Sequence, residues 1–238
     1  MPRPGKWWIG LPILAGIIYL AGDSLTRRIE LDLSNRAAQV IAEDKGALDG
    51  AEDASAAASV AASRLQALEE GRLMHRLFEF LPEVAPALRR EAVFRELAAR
   101  QIEPIRAEAL AGKVLRVLDD PRLAPLFGEN SVAEARIAAR LARPGGGFVE
   151  IAGAIDRLAE QGDAIWIADF KTGAAKAGAP AHVTQMALYR AAVALLYPGR
   201  NIRCFLIYTS GPVVEEIDAL SLDAALAVAL RKAPAPQI

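Results

Sequence analysis

Two strand-like runs, each carrying an aspartate near its end, constrain this chain more than any other feature. Residues 147–158 include Gly153-Ala154-Ile155-Asp156-Arg157-Leu158, and residues 163–171 lead into Asp169-Phe170-Lys171-Thr172-Gly173. A turn at Gln161-Gly162 joins them as an antiparallel hairpin. With a two-residue loop, Glu160 faces Asp163 and Asp156 faces Ile167. Side chains alternate, so Asp169 and Lys171 share one face and Asp156 lies diagonally across from Asp169 on that face. Diagonal neighbours sit roughly 7–8 Å apart, close enough for two carboxylates to converge on one divalent ion. A three-residue loop turns one aspartate away, so the chemistry depends on the register.

Carboxylate oxygens suit Mg²⁺ or Mn²⁺, ions that keep several waters, bind phosphate oxygens and acidify a bound water. Lys171 beside them would orient that water or offset charge building on a phosphate. The same spacing also fits a surface hairpin whose acids are solvated and whose lysine pairs with one of them.

Further pieces recur along the chain in a definite order. They are Gly71-Arg72-Leu73-Met74-His75-Arg76-Leu77, Leu118-Asp119-Asp120-Pro121 through Leu126-Phe127, and Ala133-Glu134. After the two aspartate runs come Gln185-Met186-Ala187-Leu188-Tyr189-Arg190 and Leu196-Tyr197-Pro198-Gly199-Arg200. In these stretches, from about residue 64 to 216, the chain resembles the C-terminal nuclease domain of AddA, the bacterial helicase/nuclease subunit of double-strand break repair. That domain lies in the RecB-like branch of the PD-(D/E)xK nucleases. The resemblance implies an α/β, restriction-endonuclease-like fold, a mixed sheet flanked by helices, and Mg²⁺-dependent hydrolysis of DNA phosphodiester bonds. It makes His75, Asp156, Asp169 and the Phe170 backbone carbonyl metal ligands, for Mg²⁺ or alternatively Mn²⁺, and Asp156, Asp169 and Lys171 catalytic. Gln185 and Tyr189 match the family's helix motif beside the site, and Glu134 matches a recurrent acid there. Ile155 stands where the motif's name has proline, a departure usual in this branch. DNA and an AddB-like helicase/nuclease subunit are the implied partners, and the cytoplasm the implied location.

The residues themselves leave some of these roles open. His75 lies in an amphipathic stretch with Leu73, Leu77 and Phe78, which equally suits a partly buried helix residue. Gln185 and Tyr189, four apart, share a helix face that reaches either a phosphate backbone or the sheet. His182 reads as the entry to that helix.

Composition narrows the classes. Net charge is −1 and the pI about 6.2, so no global basic field draws nucleic acid. Between Glu134 and Arg203 nine basic residues face six acids, a mild local bias. The single cysteine, Cys204, excludes an intrachain disulfide and a cysteine metal cluster, and it suits packing. No Gly-x-x-x-x-Gly-Lys-Ser/Thr loop is present to bind ATP as a helicase motor does, and no Gly-x-Ser-x-Gly element supports another hydrolase type.

The chain divides into residues 1–43, 44–63 and 64–238. Residues 7–22 form a run of sixteen uncharged, mostly apolar residues with aromatics at both ends. That length is slightly under the roughly 17–25 of a membrane-spanning helix, so it fits a marginal inner-membrane anchor, an uncleaved signal region or a buried helix. Residues 1–43 weakly resemble the N-terminal anchor of an OmpA/BON-type envelope protein, through Lys6-Trp7-Trp8-Ile9-Gly10-Leu11-Pro12 and Arg28-Ile29-Glu30-Leu31-Asp32-Leu33. Residues 44–63, rich in Ala, Ser, Asp and Gly, suit a linker or frayed helix. Helices are expected at 64–81 and 87–118, interrupted by Pro82, Pro86 and Pro104, and then at 180–196 and 221–232. A strand at 202–209 should run parallel to the one bearing Asp169. Besides an active nuclease, the sequence admits an idle nuclease-fold remnant that binds DNA or a partner, and a membrane-anchored envelope protein with an incidental tail.

Overall fold

The computed structural model describes residues 51–172 and 179–232. The apolar run 7–22 and the envelope-like opening lie outside them. Among the described residues no helix is long and apolar enough to cross a membrane.

Helix α1 (Ala51–Phe80) stops where Pro82 enters a 3-10 turn, since proline supplies no amide to continue the ladder. A second 3-10 turn, Pro86–Leu88, leads into α2 (Arg89–Ala99). The helical stretch 87–118 is therefore two helices. Gln101 turns the chain through the left-handed region at φ 57°, and α3 (Pro104–Leu118) restarts with proline in its first turn. The Glu103 carboxylate caps α3 by accepting from the Arg106 amide at 3.1 Å.

Five strands follow: β1 (Ser131–Ala142), β2 (Phe148–Gln161), β3 (Ala164–Lys171), β4 (Asn201–Tyr208) and β5 (Val213–Ile217). They lie in sequence order in one sheet. Every neighbouring pair is antiparallel except β3–β4, whose parallel pairing is bridged by α4 (Pro180–Leu196) as expected. Helix α5 (Ala219–Lys232) packs on α4. Strands β1 and β5 were not expected from the sequence. Five alanines among the twelve residues of β1 dilute its alternation with a good helix former.

The hairpin register differs from the expected one by two residues. Gln161 pairs with Ala164 and Leu158 with Ile167, so the loop is Gly162-Asp163, with Gly162 at φ 57°, a sign of φ that tight hairpin turns use. An even shift preserves which residues share a face. Extended past the last pair, Arg157↔Ala168, it sets Asp156 directly opposite Asp169 rather than diagonally across from it.

Two apolar layers sandwich the sheet. On one side α1, α2 and α3 bury Met74, Leu77, Phe78, Leu97, Leu110 and Val114 against Ala168, Phe170 and Phe205. On the other, α4 packs Met186, Ala187 and Val193 on Ile155, Ile165, Ile167 and Leu206. Strand β2 changes its allegiance partway along. Gly153 abuts Tyr189 of α4 and Ile155 lies in the α4 layer, whereas Arg157 sits over Phe127, and Ala159 belongs to the layer of α1–α3. The alternation breaks at Asp156.

Candidate active site

His75 is placed by aromatic packing one turn further along its own helix. Phe78 buries its ring on Phe170 of β3, with centroids 4.2 Å apart and planes 19° from parallel, and Phe127 stacks on the other part of the column at 6.2 Å from Phe170. Residues three apart are neighbours on a helix surface, so fixing Phe78 on β3 fixes His75 beside the same strand. Its Nε2 comes 3.3 Å from the Phe170 carbonyl oxygen. Its Nδ1 points to Asp156 Oδ1 at 3.4 Å and Glu134 Oε1 at 3.8 Å.

Asp156 sits where β2 and β3 part company. Beyond Arg157↔Ala168 the strand pairing stops, and Asp156 Oδ2 accepts the Phe170 amide at 2.7 Å in place of a backbone rung. That bond consumes one carboxylate oxygen and aims the other at His75. Opposite Asp156, Glu134 on β1 adopts φ 48°, and the β1–β2 pairing skips this position. A non-glycine residue in the left-handed region costs roughly 1–2 kcal/mol, strain of the kind that gathers at functional sites. Ligand atoms of His75, Glu134 and Asp156 all lie within 4.8 Å of one another.

The second half of the site is built from β3 and α4. Asp169, buried, pairs with the Lys171 ammonium at 2.5 Å, and Lys171 Nζ also donates to Gln185 Oε1 at 3.3 Å. Tyr189, one turn after Gln185, interacts with its side chain and reaches the backbone at Ala154. The approach of Tyr189 explains Gly153: a Cβ there would lie 2.6 Å from the phenol oxygen. His182, one turn before Gln185, shares this helix face and feels the charges of Lys171 and Asp169, so it borders the site rather than only opening the helix.

Electrostatics separate the two halves. Burial, above all, and then the charge of Asp169 push Asp156 up to about 7, against the pull of His75 and the Phe170 amide. Glu134 does most to lift His75 to about 9, helped by the charge of Asp156 and opposed by desolvation. At 3.8 Å the Glu134 contact is an ion pair rather than a hydrogen bond. The pocket therefore favours a positive occupant, and in this state the imidazolium is one.

The structure thus gathers every residue singled out from the sequence, but distributes them differently. Glu134 joins His75 and Asp156, while Asp169 is held by Lys171, and the Phe170 carbonyl faces His75. Gly153 and His182 contribute to the site as well, beyond the residues that the motifs single out. The signal for His182 was its position three residues before Gln185.

Comparison with known proteins gives three results. The family profile of the PD-(D/E)XK nuclease superfamily matches residues 49–234. No curated protein matches. A solved structure titled "Crystal structure of SSO0001" is 19% identical over 68% of this chain and 76% of that chain, with a TM-score of 0.30.

Proposed function

The chain belongs to the PD-(D/E)XK nuclease superfamily, and from that membership we propose that it hydrolyses DNA phosphodiester bonds with the help of a divalent cation. The observation that carries this reading is the convergence of His75, Glu134 and Asp156 from three separate elements, beside the Asp169–Lys171 pair.

The donor set fits such a cation. One imidazole and two carboxylates suit Mn²⁺ and Mg²⁺, and a pocket that lifts a histidine to about 9 attracts positive charge. His75, Glu134 and Asp156 would hold it, with the Phe170 carbonyl at the edge of the set, and Asp169 would join through Oδ1 while Oδ2 stays paired with Lys171. When bound, the cation supplies Lewis acidity toward a phosphate and acidifies water.

Lys171 has the remaining task. An ammonium carries three N–H donors; Gln185 accepts from one, and the ion pair with Asp169 takes up a second without a well-aligned hydrogen bond. The third is left for a substrate oxygen, where it offsets charge that grows in the transition state. Preorganised donors of this kind are worth about 10²–10³ in rate. Gln185 and Asp169 hold the ammonium in place, and Tyr189, wedged against Gly153, holds Gln185.

The order of motifs from Gly71 to Arg200 supports the finer reading of an AddA/RecB-type module acting in double-strand break repair. An AddB-like partner would supply unwinding, and genomic DNA as substrate implies a cytoplasmic setting. The test is cleavage of single- and double-stranded DNA by the full chain in Mg²⁺ or Mn²⁺, alongside Lys171→Ala and Asp169→Ala. Metal-dependent cleavage that falls by two orders of magnitude or more in both variants is the expected result. A folded parent chain that cuts neither substrate overturns it and favours an idle, binding-only remnant.

A further inference from the structure

A groove of about 280 Å³ runs between α1 and the turn joining α2 to α3. Arg72 and Arg76 line it from α1, Arg100 and Arg106 from the other side, over a floor of Leu73 and Ile102. Among the described residues, Glu69 is the one acid in the lining. Arg76 is paired with Glu79 at 2.9 Å and Arg100 with Glu96 at 2.8 Å. Arg72 has no acid partner among the described residues, and Arg106 Nε is buried without a hydrogen bond. A buried N–H left unmade is costly, and Arg106 carries it in a side chain that lines the electropositive groove. The groove also has a fixed relation to the catalytic centre. Arg72 is three residues from His75, and such neighbours on a helix have Cβ atoms about 5–6 Å apart.

We propose that this groove is a docking track for the DNA strand, in which Arg72 and Arg106 hold backbone phosphates flanking the one presented to His75, Glu134 and Asp156. The proposal rests on the nuclease reading above. Guanidinium groups suit it because each offers several donors in a plane to phosphate oxygens, and the aliphatic floor accepts the sugar face of the strand. Arg76 and Arg100, already paired, would steer rather than grip. A chain with no overall basic field can still bind a polyanion if a local groove of this kind lies beside its site.

The experiment is fluorescence anisotropy of a labelled single-stranded DNA oligonucleotide with the full chain, in Ca²⁺ to suppress cleavage, over a series of salt concentrations. Each phosphate contact to a single strand contributes about 0.7 to the slope of log affinity against log salt. The double variant Arg72→Gln/Arg106→Gln should lower affinity about tenfold and flatten the slope by about 1.4, two contacts at 0.7 each. Arg95→Gln, an exposed arginine outside the groove, should leave both unchanged. Should Arg106→Gln compromise folding, Arg72→Gln alone should still flatten the slope by about 0.7. A parent chain that cleaves DNA while the groove variants keep its affinity and slope overturns the groove and leaves the nuclease reading intact. A parent chain that neither binds nor cleaves overturns both.

Discussion

The two halves of the site hold similar chemical groups in opposite states of satisfaction. On the β3–α4 side, Asp169, Lys171 and Gln185 form a closed set in which one positive and one negative charge cancel within a buried strand end. On the α1–β1–β2 side, His75, Glu134 and Asp156 bring two carboxylates together with one titratable ring, and both Asp156 and His75 are displaced from their ordinary pKa values. The closed half is ready before anything binds. The open half is organised around a charge the chain lacks unless His75 carries a proton, and strain at Glu134 shows that packing elsewhere enforces the arrangement.

That contrast can be broken most sharply at Asp156. Asparagine keeps an oxygen for the Phe170 amide but removes the charge. Asp156→Asn should therefore cost at least two orders of magnitude in metal-dependent cleavage. It should also raise the thermal midpoint of the metal-free chain, because a desolvated charge beside Asp169 is gone. An unchanged rate, measured at saturating metal, would place the centre elsewhere.

Next in size is the pH response. His75 must lose its proton to ligate, and its proton leaves at about 9 in the metal-free state, so apparent metal affinity should rise as pH climbs from 7 towards 9. Stability of the metal-free chain should move the other way. A folded-state pKa raised from 6.5 to about 9 favours the folded state fully below 6.5, and that contribution fades as pH passes through 9. Asp156, raised from 3.8 to about 7, adds a loss of the same sign between those values. Calorimetric metal titrations and melting curves across this range, with His75→Ala as the control, test both trends. A metal affinity flat with pH would remove His75 from the ligand set.

On the closed side, Gly153→Ala drives a methyl into Tyr189 and should cost about 1–3 kcal/mol by chemical denaturation. Activity should fall with it, because Tyr189 supports Gln185 and hence Lys171. The smallest effect separates geometry from chemistry at Glu134. Glycine accepts φ 48° and alanine resists it, so Glu134→Gly should be more stable than Glu134→Ala by about 1 kcal/mol, with equal loss of metal affinity in both. Equal stabilities would mean that the left-handed backbone is not retained without the glutamate.

How legible all this was in the residues depended on the kind of signal. The hairpin and the β3–α4–β4 unit announced themselves through apolar runs, a glycine turn and a helix of clear length. Strand β1 did not, because its alanines favour helix while its pairing is set by β2 across a loop. The sequence leaves the register open by two because the turn offers Gln161, Gly162 and Asp163, and only the backbone selects the last two. Asp156, Asp169 and Lys171 could be argued from strand periodicity. His75 and Glu134 could not, since their proximity depends on the aromatic column under α1 and on the left-handed turn within β1. The resemblance supplied them where local physics was silent.

The break in alternation at Asp156 has a consequence for how this strand tolerates change. Before it, odd-numbered residues of β2 meet α4; after it, odd-numbered residues meet the opposite layer, as Arg157 and Ala159 do. A strand with an uninterrupted pleat shows one rhythm of permissive and restrictive positions, whereas β2 carries two rhythms joined out of step. The aspartate stands at the seam, where its carboxylate is committed to neither layer and lies within reach of groups from both. Substitution profiles along β2 would then locate Asp156 by a slip in rhythm, with no reference to its chemistry.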